Sequence, residues 1–186
     1  MRSARDGLDD LALALRAHGG TVAELVQDGG GGGDGRPGAG GGDGRPGAAQ
    51  LAAAGPRATR AASEYELLLE MILEGARLHY GPARVVRTDD PDLALLVGDQ
   101  LYALGLERLA ALGDLDAVAE LADAISLVAQ AHAAGDRELA EAVWEAAVMT
   151  VGWGGGEELE EAKQLARAGD SRALEALRSA SRAAAS

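Results

Sequence analysis

The clearest pattern in the chain runs from Asp89 to Asp114. There a run of Leu, Val and Ala is broken only by Asp92, Asp99, Gln100, Glu107 and Arg108 as strongly polar residues. Asp90 suits a helix cap, and Pro91 suits the first helical position, which needs no N–H. Gly113 suits the left-handed residue just past a helix end. At roughly 100° per residue the Leu and Val positions go nearly all the way round, so the pattern predicts a helix covered by neighbours on most sides. Gly98 and Gly105 sit about 20° from each other on one face and invite close crossing by a second helix. This stretch is the expected central helix of an all-α domain.

The remaining pattern is helical too. Asp6 to Ala17 carries Leu8, Leu11 and Leu15 on one side, and Thr21 to Gln27 forms a second short piece after Gly19-Gly20. Helices this short need a surface to dock on. A helical signal resumes near Ala48. Ser63, with Glu66 three residues later, has the form of a capping box, and the helix after it runs to about Tyr80 before Gly81-Pro82. Its apolar side is Leu68, Leu69, Ile72, Leu73 and Ala76. The connector from Gly81 to Asp89 has extended character at Val85-Val86. Gly113-Asp114, Gly135-Asp136 and Gly169-Asp170 share one form, in which Gly ends a helix and Asp starts the next. They delimit helices of about 116–133, 137–151 and 171–183, with another at 157–168 after Gly154-Gly155-Gly156. Turns this short make neighbouring helices antiparallel. The uneven junction spacing argues against a repeat array.

Composition changes the picture in three ways. Apolar residues make up 47% of the chain, yet there is no Phe and aromatics reach only 3%, so Ala and Leu must fill the core. That favours closely packed helices over a sheet. The net charge of −13 would repel a polyanion, which disfavours nucleic acid or an anionic membrane as a partner. Cysteine is absent, which excludes disulfides and thiolate metal sites and fits a reducing compartment, so the expected location is cytoplasmic. No stretch reads as a signal peptide. The charges inside the 89–114 helix argue against a transmembrane span. Residues 29–47 are low-complexity, with Gly-Gly-Asp-Gly-Arg-Pro-Gly-Ala at 32–39 and again at 41–48. They lack the flanking strand and the Gly-Lys-Ser or Gly-Lys-Thr of a phosphate loop, and read as a flexible linker. The expected organisation is a short helical segment at 1–28, a disordered linker at 29–47 and an all-α domain at 48–186.

Candidate chemistry is sparse. His18, His79 and His132 have no metal-ligand spacing, and no Ser sits in a nucleophile elbow. Glu66, Glu70 and Glu74 share one face of the 64–80 helix. Carboxylates so aligned can hold Mg²⁺ and, through it, a diphosphate. The plainer reading, taken here, is a solvated stripe completed by Arg77. Asp89, Asp90 and Asp92 are explained by the helix dipole. Asp99 sits mid-helix among apolar residues, where a charge needs a partner. That partner is expected to be Arg77 or Arg84, the alternative being a polar cavity.

The segment Leu95-Leu96-Val97-Gly98-Asp99-Gln100-Leu101-Tyr102-Ala103-Leu104 resembles the Leu-Gly-Asp-Tyr-Leu-Leu-Ala helix of the polyprenyl synthetase (isoprenyl diphosphate synthase) family. Leu109 to Asp114 and Ala117 to Ala122 resemble that family's next turn and helix. The likeness covers roughly residues 64–132, and it implies a single helical bundle like a reduced isoprenoid synthase fold. The family's Asp-Asp-x-x-Asp motif, which binds Mg²⁺-diphosphate, corresponds here to Glu74-Gly75-Ala76-Arg77-Leu78. Only the first position is acidic. The Arg-Arg-Gly that follows in the family is missing, although Arg84 and Arg87 lie in the connector, and so is the second aspartate-rich motif.

The resemblance therefore implies a non-catalytic accessory or regulatory subunit, with no cofactor, paired with a full-length prenyl synthase subunit or with itself. One alternative is a residual Mg-dependent prenyltransferase or diphosphate-binding enzyme, with Glu70, Glu74, Arg77, Arg84 and Asp99 as the diphosphate site. The other is a helical scaffold unrelated to isoprenoids that binds a protein partner.

Overall fold

A computed structural model describes residues 4–27 and 47–184. Except for Gly47, the linker expected at 29–47 lies outside the described residues. Among these the chain is all-α. Its helices are α1 (Ala4–His18), α2 (Gly20–Glu24), α3 (Ala48–Ala53), α4 (Ala62–Tyr80), α5 (Pro91–Leu112), α6 (Leu115–Ala133), α7 (Arg137–Trp153), α8 (Glu157–Arg167) and α9 (Ala173–Ala184). No helix among the described residues is long and apolar enough to cross a membrane. The chain divides into two compact units. One comprises Met1–Gln50 with Glu66–Glu107, the other Leu51–Tyr65 with Arg108–Ser186.

In the first unit the N-terminal helices dock. Leu11, Leu15, Val22 and Val26 join Met71, Val85, Val86, Val97 and Leu101 in one buried cluster. The extended character of Val85-Val86 is used in an isolated antiparallel bridge between Val26 and Val86. Around it the Gln27 N–H donates to the Val85 carbonyl at 3.0 Å, and the Arg87 N–H donates to the Leu25 carbonyl at 3.0 Å.

Helices α4 and α5 cross backbone to backbone. A Cβ at Gly105 would lie 2.4 Å from Cγ1 of Ile72, and one at Gly75 would lie 2.9 Å from the Gly98 carbonyl oxygen. The start of α5 is capped as expected, Asp90 Oδ1 accepting from the N–H groups of Asp92 at 3.0 Å and Leu93 at 3.2 Å.

Two expectations fail here. Helix α5 is not covered on most sides. Val97, Gly98, Leu101, Tyr102 and Gly105 are buried, but Leu95 is 45% and Leu96 67% exposed. A helix apolar nearly all round carries no polar stripe to mark which side faces water, and the side without glycines is left open. The capping box also fails. Helix α4 starts at Ala62, so Ser63 lies within its first turn, and Glu66 is buried instead of reaching back to cap it.

In the second unit α6 packs on α7, and α9 packs on both α7 and α8. All three Gly-Asp junctions place Gly in the left-handed conformation, and two of the three Asp cap the next helix, Asp170 binding Arg172 instead. Gly113, Gly135 and Gly169 have φ of 80°, 77° and 66°, and Asp114 and Asp136 accept from the N–H groups of Ala117 at 3.1 Å and Leu139 at 2.9 Å. Asp114 also accepts from the Tyr65 hydroxyl at 2.7 Å and from Arg57 at 2.9 Å. Burial alone would raise Asp114, but Tyr65, the Ala117 N–H and Arg57 together bring its carboxyl below the ordinary value. Burial, helped by the bond to Asp114, pushes the Tyr65 phenol up to about 12.

The 51–61 segment lies against the end of α7 with no side chain between the backbones. A Cβ at Gly152 would sit 2.0 Å from the Ala52 carbonyl oxygen, and one at Gly55 2.2 Å from that of Gly152. The Arg57 N–H donates to the Gly152 carbonyl at 3.0 Å, and Trp153 Nε1 donates to the Leu51 carbonyl at 3.0 Å.

These two glycine contacts differ in what a methyl group would meet. At Gly105 the nearest atoms belong to the Ile72 side chain, which can turn; at Gly152 they are backbone. Gly105→Ala should cost about 1–3 kcal/mol, and Gly152→Ala should match or exceed the top of that range despite the better helix propensity of Ala. Urea denaturation of the two variants checks the order. A milder effect at Gly152 would contradict it.

Candidate functional site

The carboxylates of Glu66, Glu70 and Glu74, spaced four apart along one side of α4, are not a solvated stripe. They are 7%, 3% and 0% exposed. The N-terminal segment lies against Glu66, and the connector after α4 encloses Glu74. Gly7 of α1 lies so close that a Cβ there would be 2.8 Å from Glu66 Oε1.

Glu74 is committed to the fold. Its Oε1 accepts from three consecutive backbone N–H groups, those of Arg84 at 2.7 Å, Val85 at 2.6 Å and Val86 at 3.0 Å. Its Oε2 accepts from Arg77 at 3.4 Å. Successive amides turned inward in this way make an anion cradle. Here the anion is the chain's own side chain.

Glu70 has a different state. Its Oε2 is buried with no hydrogen-bond partner among the described residues. Burial raises its pKa; Arg77 and Arg84 pull it down, and Glu74 and Glu66 push it further up, leaving a net rise. The physical result is a carboxyl that keeps its proton to a higher pH than an exposed one. Arg77 is lowered by burial first and then by the like charge of Arg84, against the pull of Glu74 and Glu70.

Asp99 stands with other partners. Its side chain is 71% exposed, and Oδ1 lies 3.1 Å from His79 Nε2. The group nearest Asp99 is thus a histidine ring and not Arg77 or Arg84, and His79 Nε2 makes no hydrogen bond among the described residues. The His79 ring stacks on Tyr102 at 5.3 Å and 8°, and lies 5.6 Å from the Tyr80 ring. Gly98 leaves room for that ring, since a Cβ there would be 2.7 Å from it. Burial, and then the Asp99 charge among others, raises both tyrosines.

Of the five candidates, Glu70, Glu74, Arg77 and Arg84 interact as one cluster, and Asp99 pairs elsewhere. No group of three or more His, Asp or Glu among the described residues is placed to hold a metal ion. As arranged, these carboxylates do not fit Mg²⁺.

A second charged cluster, in the other unit, escaped the sequence reading. Lys163 on α8 is 6% exposed, and its Nζ lies 2.8 Å from Glu120, 3.3 Å from Asp123 and 2.5 Å from Glu160. Arg167 donates to both Asp123 oxygens, at 2.5 and 2.6 Å. Burial would lower the Lys163 ammonium, but hydrogen bonds and charge from Glu120 and Glu160 raise it. The amine stays protonated and is no nucleophile. Glu120 is raised by burial against the pull of Lys163. One sequence signal was present: Lys163 is the only lysine among the chain's seventeen basic residues.

Comparison with protein-family models, with characterised proteins and with solved structures finds no match to this chain.

Two substitutions separate the roles of the carboxylates. Glu74→Ala leaves two buried amides and a part-buried one without an acceptor and should destabilise the protein by about 3 kcal/mol, read by urea denaturation. Glu70→Gln should act in the opposite sense and depend on pH. Folding keeps a proton on Glu70 that the unfolded chain releases above its ordinary value of 4.5. Its contribution is therefore full below that value and is lost as pH rises through the folded pKa. The Gln variant should gain in melting temperature over the native protein at pH 8 and show little gain at pH 4. A gain independent of pH would show that Glu70 is ionised in the fold.

Proposed function

We propose that this chain is a non-catalytic helical subunit, related to the polyprenyl synthetases, that acts by binding a partner protein. A full-length prenyl synthase subunit is the first partner to consider and a second copy of the chain the next. The observation that carries the reading is the open side of α5. Leu95 and Leu96 stand in water on a helix with five strongly polar residues in its 22. A helix of that composition is normally covered, and a partner helix laid along it would complete the cover. The absence of catalysis is supported by Glu74 being occupied with backbone amides and by Asp99 being turned to His79. Cytoplasmic location belongs to the same reading, since a cysteine-free chain gains nothing from an oxidising compartment.

The open side of α5 equally favours a helical scaffold with no tie to isoprenoids, in which case the partner is a different helical protein. Residual Mg-dependent diphosphate binding has the least support. It would require Glu74 to give up its amides.

The isolated protein, incubated with isopentenyl and allylic diphosphates and Mg²⁺, should elongate nothing; elongation would overturn the proposal. Mixed with a full-length prenyl synthase from the same genome, it should co-elute as a complex. Leu96→Glu should weaken that complex at least about tenfold without lowering the melting temperature. Failure to associate at tens of micromolar would remove the isoprenoid partner and leave the scaffold reading.

A further inference from the structure

Helix α8 buries little apolar area. It has 11 residues, and its buried positions are Leu159, Ala162, Lys163 and Ala166, only one of them a large apolar side chain. Four of its residues are Glu, and its N-cap is Gly156, with no side-chain cap. Glycines stand at both ends, Gly154 with φ 95° before it and Gly169 with φ 66° after it. A helix with so little apolar area opens at small cost compared with the whole unit. It packs on α9, and what ties it to α6 is Lys163, reaching Glu120 and Asp123, with Arg167 on Asp123 beside it. An ammonium carries three donors on a compact charge, which suits three carboxylates arriving from different directions; a planar guanidinium does not.

We propose that Lys163 is an acylation site gated by the opening of α8. Acyl thioesters or acyl phosphates modify Nζ only in molecules whose α8 has left α6, and the acyl group then prevents return. In the closed form the amine is protonated, surrounded by carboxylates and out of reach, so it has no lone pair to offer. In the open form it titrates as an ordinary lysine. The neutral amine attacks the acyl carbon, the C–N bond forms as the C–S or C–O bond breaks, and the thiol or phosphate departs while the amine loses a proton to solvent. The product is an uncharged amide with one N–H. Redocking would then bury Glu120 with no cation beside it, while Asp123 keeps Arg167. The remaining basic residues are all arginines, which do not accept acyl groups in this way, so within this sequence the lysine-directed mark has one address.

The test follows acetylation of the whole chain by N-hydroxysuccinimidyl acetate at pH 8 through a urea series. A short lysine peptide in the same tube serves as reference, and Lys163 is read by peptide mapping. In buffer Lys163 should react about a hundredfold more slowly than the reference. Its rate should rise at urea concentrations below those at which total helicity is lost. Chain acetylated in urea and returned to buffer should melt several degrees below a mock-treated control. Reaction at the reference rate in buffer, a rate that rises only with global unfolding, or an unchanged melting temperature after acetylation would each overturn the proposal. The kinetic arms use the unsubstituted protein, so they stand even if Lys163→Gln fails to fold.

Discussion

One buried carboxylate does most to organise the first unit. Glu74 collects the amides of Arg84, Val85 and Val86 on a single oxygen. A connector that leaves α4 after Gly81-Pro82 would otherwise carry three unsatisfied donors into an apolar cluster. With them satisfied, Val85 and Val86 can be buried, and Val86 can pair with Val26. That pairing sets the end of the N-terminal segment, whose Leu11 and Leu15 then cover α4. Covering α4 is what puts Glu66 and Glu70 out of water. The docking of the N-terminal helices and the state of Glu70 thus follow from one charge-assisted cradle.

The same cradle bears on function. Three converging amides beside two guanidinium groups are the kind of environment that holds a phosphate oxygen. In this chain the place is filled from within, by the residue that aligns with the first acidic position of the resembled metal motif. A side chain at the end of two methylenes, bonded by three backbone donors, is not displaced by a weak external ligand. The residues that looked like a diphosphate site are better understood as the means by which a leucine-poor connector is buried.

Helix ends were legible in the sequence because they depend on local chemistry. Asp90-Pro91 and the Gly-Asp pairs act through φ preferences and side-chain caps that operate within four residues, and α5, α6 and α7 start within a residue of where those signals put them. The close α4–α5 crossing was legible too, from Gly98 and Gly105. What could not be read was which surfaces meet. The burial of Glu66 depends on α1, more than fifty residues away, and that of Glu74 on the connector. The choice of His79 over an arginine for Asp99 depends on a gap that Gly98 opens across the crossing. The Lys163 cluster joins positions on α6 and α8 some forty residues apart. The glutamates and Lys163 looked like ordinary surface because a helix alone offers no sign of what packs against it.

Lacking Phe, the chain has few large side chains with which to fill space, and both units answer by bringing backbones together. Gly75, Gly98 and Gly105 do so in one, Gly55 and Gly152 in the other. Close backbone packing uses small residues on one side of a helix and leaves the large ones on the other. On α5 this sends Leu95 and Leu96 away from α4 and into water. The exposed leucines and the tight crossing are therefore two consequences of the same choice of residues. With that side of α5 used for the crossing, Leu95 and Leu96 can be buried only against something further, and that requirement gives the partner-binding reading its physical basis.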